Sequence, residues 1–306
     1  IPSVSDHQYG GERLRVTLNN SFNLTSIPTA LSGKFMVNSN QFDLQRLGDC
    51  GWIESIEFRE TTPSTNDLAK QLIQQQAGQT LPTDFIPSCP KLVLTSTQTS
   101  GRGQNSRTWW AGQGSLTFSL IETMSEPILP LTTGLATALA LTEALNEVAT
   151  NIEARIKWPN DLYLKGRKMA GILVESVHWA DTNFQVVGVG INVNNVMRDL
   201  PTEIRTTATS LAECTGKHYD LTSFLVRWLE HYFAAQKLRQ TDSQQLITTC
   251  LQRSQIAVGQ TITLKLPAGH QIQGEFAGLS ARGGILLNQS GQQREFLSAT
   301  LNHNVD

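Results

Sequence analysis

Lys157, Asn160, Asp161 and Lys168 fall in one short polar stretch flanked by apolar residues. Two ammonium groups beside a carboxylate and an amide suit a site that holds an anionic phosphate or carboxylate, with or without a metal ion. The residues between them indicate how such a group would be held. Ile156 and Trp158 read as the buried end of a strand, which Pro159 stops because it has no N–H to donate. Asn160-Asp161 turns the chain, residues 162–164 start a second strand, Lys165-Gly166 makes a tight connection, and residues 170–176 form a third. The rival reading is a surface hairpin with a solvated charge pair.

More residues of this kind lie upstream. Residues 98–114 begin with Gln98, are rich in glycine, carry Arg102 and Arg107, and run into Trp109-Trp110. Arginine forks suit phosphate and carboxylate and an indole face suits a purine, so this segment is expected to be mobile alone and to close over a ligand. An exposed loop is the alternative. Gly101-Arg102-Gly103 lacks the third glycine of a dinucleotide fingerprint, and no phosphate-binding Gly-x-x-x-x-Gly-Lys motif occurs. Ser64-Thr65-Asn66 precedes a helix expected at 67–76, with Leu68, Ala69, Leu72 and Ile73 on one face. Ser64 or Thr65 caps that helix, and its free N–H groups are equally open to a ligand. Residues 185–193 form a β-branched run expected as a strand buried on both faces. Within it Gly188 and Gly190 permit close approach, and Asn192 needs a partner from a ligand or from the core.

Other segments supply the frame. Strands are expected at 53–60, 91–98 and 115–121, and a core helix at 131–148 repeats Leu135, Leu139, Leu145 and Val148 at helical spacing. Residues 206–211 enter a short helix. Asp220 or Thr222 caps another, with Phe224, Leu225, Trp228, Leu229, Tyr232 and Phe233 at 3–4 spacing. After residue 254 four short strands, at 261–266, 271–277, 284–288 and 292–297, suggest a small barrel. Residues 1–50 show short alternations at 14–16 and 35–37, read as strands and loops, with no helix-turn-helix pair. The expected division is an N-terminal extension at 1–50, a main domain at 51–254 and the barrel at 255–306.

A chain of 306 residues with 39% hydrophobic and 16% charged residues can bury a core, which argues against disorder. A net charge of −2 offers no general attraction to nucleic acid. Cys50, Cys89, Cys214 and Cys250 are widely spaced and form no Cys-x-x-Cys pair, which fits a reducing cytoplasm better than a disulfide scaffold. No run of about 18 apolar residues occurs, so no membrane partner is expected. The sequence begins at Ile1, so a targeting segment upstream is left open.

Lys157-Trp158-Pro159-Asn160-Asp161, followed by Arg167-Lys168 and Gly171-Ile172-Leu173-x-Glu175, resembles the signature of biotin protein ligases. Ser64-Thr65-Asn66, the 101–109 loop and Gly188-Val189-Gly190-Ile191-Asn192 are similar to that family in order and spacing. The resemblance runs from about residue 55 to the end. It implies a mixed α/β catalytic domain like that of class II aminoacyl-tRNA synthetases, with an SH3-like barrel behind it. It also implies two reactions. Biotin and ATP, with Mg²⁺, give biotinyl-5′-AMP and pyrophosphate, and the biotinyl group then passes to a lysine of a biotin carboxyl carrier protein. A homodimer is common in such folds.

The same resemblance assigns roles. Ser64, Thr65, Asn66, Gln98, Gly101, Arg102, Lys168 and Gly171 would bind biotin, with Gly101 and Arg102 closing over it. Arg107, Trp109, Lys157, Asn160 and Asn192 would face the nucleotide, Trp109 on its adenine side. Lys168, Arg102, Lys157 and Asp161 would be catalytic, Asp161 orienting the acceptor lysine or acting with the metal. The family loop reads Gly-Arg-Gly-Arg-x-Gly-Arg-x-Trp, but this chain has Gln104 and Ser106 where the family has arginine and glycine. Either the acyl-adenylate is held loosely, or Lys165 or Arg155 substitutes. Lipoate or octanoate transfer and non-catalytic biotin binding are the alternatives; a DNA-binding repressor would need a front domain that is not evident.

Overall fold

The computed structural model describes residues 7–9, 12–18, 41–74, 86–125, 129–179, 181–267 and 269–302. In chain order its strands and helices are β1 (His7–Tyr9), β2 (Glu12–Leu18), α1 (Leu44–Gly48), β3 (Ser55–Thr62), α2 (Thr65–Gln74), β4 (Lys91–Gln98), β5 (Gly101–Arg102), β6 (Thr108–Trp109), β7 (Ser115–Met124), α3 (Pro130–Val148), β8 (Ala154–Lys157), β9 (Asp161–Leu164), β10 (Arg167–Trp179) and β11 (Thr182–Asn192). They continue with α4 (Thr202–Arg205), α5 (Leu211–Thr215), α6 (Leu221–Thr241), α7 (Ser243–Gln252), β12 (Thr261–Lys265), β13 (Gln271–Leu279), β14 (Ile285–Gln289), β15 (Gln292–Phe296) and β16 (Thr300–Asn302). This is a mixed α+β fold.

Nine strands form one sheet in the order β1-β2-β3-β4-β7-β11-β10-β9-β8. β2, β3 and β4 run parallel to one another and the remaining pairs are antiparallel. Strand alternation sends Leu92, Leu94, Phe118, Leu120, Val187 and Val189 to one face, against α3 and α6. Val93, Ile121, Val186 and Phe184 cluster with Ala69 and Ile73 of α2. α3 starts with Pro130 in its first turn and is buried nearly all round, because it also meets α7 and the C-terminal strands. That is why its apolar residues outnumber the single stripe read from the sequence.

Phe42, Leu44 and Leu47 are fully buried in this same core, so packing begins ahead of residue 51. Asp43 caps α1 by accepting from Arg46 N at 2.9 Å, and its own N–H donates to Thr222 Oγ1 at 3.0 Å, tying α1 to α6. The alternation at 14–16 lies in β2, whereas that at 35–37 lies outside the described residues, as does most of the stretch searched for a helix pair. Helix α6 is capped by Asp220, which accepts from Ser223 N at 2.7 Å.

The C-terminal strands form a second sheet in the order β15-β14-β13-β12-β16. Its Ile262, Leu264, Phe276, Ile285, Leu287 and Leu301 join the main core. Three hydrogen bonds link residues 253–283 to Ile156 and Trp158 at the start of the hairpin turn. Ile156 donates to Arg253 O at 2.8 Å and accepts from Gln255 N at 2.9 Å. The Trp158 indole donates to Gly283 O at 2.8 Å.

One acid lies between the sheet and its helices, far along the strands from Asn192. Glu122 accepts hydrogen bonds from the Tyr232 hydroxyl and from Gln185 Nε2, whose amide oxygen in turn accepts from Thr133. Burial pushes the Glu122 carboxyl above the usual range, outweighing those bonds and Arg239. A raised carboxyl stabilises the fold below its unfolded value, and that stabilisation is lost as pH rises through its folded value. Glu122→Gln keeps the acceptor oxygen and cannot titrate. The urea midpoint of the parent should therefore decline more than that of the variant as the pH rises above the ordinary carboxylate range. Parallel curves for the two proteins would rule out titration of Glu122 in that window.

Candidate active site

One cavity of about 240 Å³ opens on the α2 side of the sheet. It is lined by Ser64, Thr65, Asn66, Gln98, Arg102, Gln104, Arg107, Trp109, Trp110, Asn160, Asp161, Lys168, Gly171, Gly188, Gly190 and Asn192. Leu200, Ile204, Thr207 and Ala208 wall another side. Twelve of the fourteen residues expected at the site line this one space. Gly101 and Lys157 do not.

The floor is bare backbone. Gly171 of β10 is paired directly with Gly190 of β11, and Gly188 lies two residues along from Gly190, between Leu173 and Ser119. A Cβ on Gly190 would overlap the Trp109 indole, and one on Gly188 would overlap the Asn66 amide. The close approach expected of these glycines is thus made by two protein side chains. Gly101 serves the flap in the same way, since a Cβ there would lie 2.5 Å from Gln98 Nε2.

At one end of the cavity the polar groups interlock. Ser64 is the residue ahead of α2, and its Oγ accepts from Asp67 N at 3.3 Å. Gln98 Oε1 accepts from Thr65 N at 2.9 Å and from Thr65 Oγ1 at 3.3 Å, which leaves the Gln98 amide to act as donor. Ser119 Oγ lies 2.6 Å from Asn66 Oδ1 and 2.8 Å from Thr65 Oγ1, so its one proton goes to the amide oxygen. Asn66 Nδ2 donates to Leu173 O at 3.2 Å and Glu175 Oε2 at 2.8 Å. Asn66 therefore has its amide N–H groups and oxygen engaged within the protein. It shapes the cavity beside Ser64, Thr65 and Gln98.

The other end is cationic. Lys168 sits at an irregularity in β10, where the register against β9 shifts between Lys168 and Ala170. On its other side its backbone pairs with the 207–209 segment, donating to Thr207 O at 2.8 Å and accepting from Thr209 N at 2.9 Å. A bulge re-aims a side chain, and this one aims Lys168 into the cavity. Its Nζ lies 2.6 Å from Asp161 Oδ1 and 5.9 Å from the Trp109 ring centre. Lys157 stands one layer back, with Nζ 3.3 Å from the Tyr163 hydroxyl and 4.9 Å from the centre of that ring. Burial lowers its pKa and Arg107 adds to the effect, while Asp161 opposes it. Asn160 continues the ladder: its O accepts from Ile172 N at 2.9 Å and its Nδ2 donates to Ile172 O at 2.6 Å.

Asn192 accepts from Asn195 Nδ2 at 2.9 Å, so its partner is a core amide. Neither proposed substitute for the missing arginine reaches the cavity. Lys165 donates to Cys214 O at 3.0 Å, and Arg155 reaches Gln252 O at 3.1 Å. The flap is built on paired backbone. β5 pairs with β6, Gly103 N donates to Arg107 O at 2.7 Å, and the tip turns on Asn105 at φ 54°. Ser119, Trp110, Asp67 and Glu175 were not singled out by sequence. Only their position beside or within the quoted motifs hinted at them.

The family model described as biotin/lipoate A/B protein ligase matches residues 58–192. The biotin–[acetyl-CoA-carboxylase] ligase of Mycobacterium tuberculosis is 29% identical over 213 residues, covering 66% of this chain and 74% of that protein. The bifunctional ligase/repressor BirA of Bacillus subtilis is 34% identical over 53% of this chain, which spans about half the length of that relative (48%). Among solved structures, the biotin protein ligase of Aquifex aeolicus in complex with biotin and ATP superposes with a TM-score of 0.66 at 28% identity, covering 81% of this chain and 99% of that one. Residues 58–192 thus match the biotin/lipoate ligase model, and the chain is similar in sequence and fold to biotin protein ligases.

Proposed function

We propose that this chain is an ATP-dependent biotin–protein ligase. In the first reaction a carboxylate oxygen of biotin attacks the α-phosphorus of ATP, and pyrophosphate leaves with the electrons of the broken P–O bond. In the second the neutral amine of an acceptor lysine attacks the acyl carbon of biotinyl-5′-AMP, AMP leaves, and a proton is released. The acceptor is a biotin carboxyl carrier protein. The single observation that carries this reading is the joining, in one cavity, of the Ser64 and Gln98 donors, the latter oriented by Thr65, to Lys168.

A ureido ring has a carbonyl to accept from such donors, whereas a dithiolane ring has no comparable acceptor. Burying those donors against an apolar head would leave them unpaired, at a cost of about 1–3 kcal/mol for each group. The polar end therefore favours biotin over lipoate. Lys168 is placed to neutralise charge as it moves from carboxylate to phosphate oxygens, and Arg107 with Lys157 extends the positive field toward the leaving group. No cluster of three His, Cys, Asp or Glu side chains that could cage a metal occurs among the described residues. Mg²⁺ would fit here as an ion carried by the nucleotide phosphates, which it would partly neutralise, and Asp161, the lining carboxylate among the described residues, could supply a further ligand.

Lys168→Gln should lower biotin-dependent ATP–pyrophosphate exchange by on the order of a hundredfold or more, with the fold intact by circular dichroism. Exchange at the parent's rate would remove Lys168 from the chemistry. Labelled biotin and lipoate offered with ATP and a carrier domain distinguish the two acids directly, and lipoate incorporation alone would overturn the reading. Gln104 lines the cavity with no arginine in its place. Gln104→Arg should slow release of biotinyl-5′-AMP roughly tenfold or more, since a charge-assisted bond contributes about 1.5–3 kcal/mol. Identical release rates would end the idea of a loosely held adenylate.

A further inference from the structure

Arg102 is expected to close over a ligand, yet its guanidinium is already engaged elsewhere. Its Nε donates to Asp67 Oδ2 at 3.0 Å. Its Nη2 lies 2.8 Å from both Asp67 Oδ1 and Glu175 Oε2. Asp67 stands in the first turn of α2, Glu175 on β10 and Arg102 on β5 of the flap, so three elements meet at one planar fork. A fork that grips one carboxylate with two donors fixes direction as well as distance, which a single lysine contact cannot do.

Further groups complete the charge balance. Lys70 sits 3.2 Å from Asp67 Oδ1 and 2.9 Å from Glu175 Oε1, giving two cations for two carboxylates. Glu175 Oε2 also accepts from Asn66, the amide wedged over Gly188. Burial alone would raise the Glu175 carboxyl, but its bonds from Lys70, Asn66 and Arg102 outweigh that and hold it below the usual range. Neither Asp67 nor Glu175 lines the cavity.

We propose that Asp67 and Glu175 are positioning residues that act through Arg102, latching the flap against α2 and β10 and thereby setting how long the bound acid stays. The identity of that acid rests on the ligase reading above; the latch is a property of the protein without ligand. Losing it frees the flap and shortens the stay of the acid, while the chemistry at Lys168 continues.

Two measurements on the full chain test this. Hydrogen–deuterium exchange of the flap amides at 103–109 in ligand-free protein reads the latch directly. Steady-state ATP–pyrophosphate exchange over a range of biotin concentrations separates KM from kcat. Asp67→Asn and Arg102→Met should each speed flap exchange and raise the KM for biotin by on the order of tenfold, and in Asp67→Asn, which lies outside the cavity, kcat should stay within about twofold. The double variant should be no worse than either single one, because the two residues act as one contact. Lys70→Met, which leaves the Arg102 fork in place, should keep the parent's flap exchange. Glu175→Gln should follow Asp67→Asn; if it fails to fold through loss of the Asn66 contact, Asp67→Asn carries the test alone.

A higher KM in Arg102→Met, with Asp67→Asn at parent values in both measurements, would mean that Arg102 contacts the acid itself, and the proposal falls. A loss in kcat with KM unchanged would overturn it too. If the parent shows no biotin-dependent exchange at all, the ligase reading fails, and the flap amides still decide the latch.

Discussion

A sheet face can hold a ligand only where side chains are kept off it, and that constraint governs the α2 side of this molecule. The facing pair Gly171 and Gly190, with Gly188 alongside, bares a patch of backbone in the middle of the sheet. Glycine weakens a strand, since it loses more chain entropy on folding and has nothing to pack. Here β10 and β11 are long, centrally placed and flanked by Val186, Val187, Val189 and Ile172, so the ladder survives the loss. Trp109 then lies over Gly190 and Asn66 over Gly188. Flap, helix and sheet are thereby brought into van der Waals contact around one space.

Polarity runs along that space in one direction. Neutral donors sit at the Gln98 end, and Lys168 and Arg107 at the other, with Asp161 the lining carboxylate among the described residues. Lys157 behind them feels both burial and Arg107, and each disfavours its charged form. An anion entering the cavity relieves the mutual repulsion of these cations. Their crowding therefore disfavours the protein alone and favours the complex. Asp161 offsets part of the repulsion meanwhile through its 2.6 Å contact with Lys168, which an incoming carboxylate or phosphate must compete with.

Much of this was legible in the sequence because its signals are local. Pro159 and the Lys165-Gly166 turn mark the hairpin, and alternation locates β4, β7 and β11. The Asp220 cap marks α6. Other features depend on residues brought together only by folding. The Arg102 contacts span 35 positions to Asp67 and 73 to Glu175, a separation no periodicity encodes. The same holds for Asn66, which read as a ligand group because it adjoins Ser64 and Thr65. Its partners Ser119, Leu173 and Glu175 come from two other strands. Lys157 and Lys168 looked equivalent by composition. The bulge at Lys168 and the ordinary pairing of Lys157 with Asp161 send the two side chains to different depths.

The two faces of the sheet do separate work. The α3 and α6 face carries Leu92, Phe118, Leu120, Trp228 and Phe224 in one buried apolar core, where truncation leaves a cavity that costs stability directly. The α2 face gives up packing to make the cavity and replaces it with hydrogen bonds and ion pairs at Asn66, Ser119, Asp67 and Glu175. The ion pairs among them, joining Arg102 and Lys70 to Asp67 and Glu175, are partly exposed and contribute little to global stability, on the order of 1 kcal/mol or less each. They are strongly directional, however, and so can hold a flap in register without making the fold depend on it. Substitutions on the first face should therefore show in the amount of folded protein, and those on the second in how tightly ligand is held.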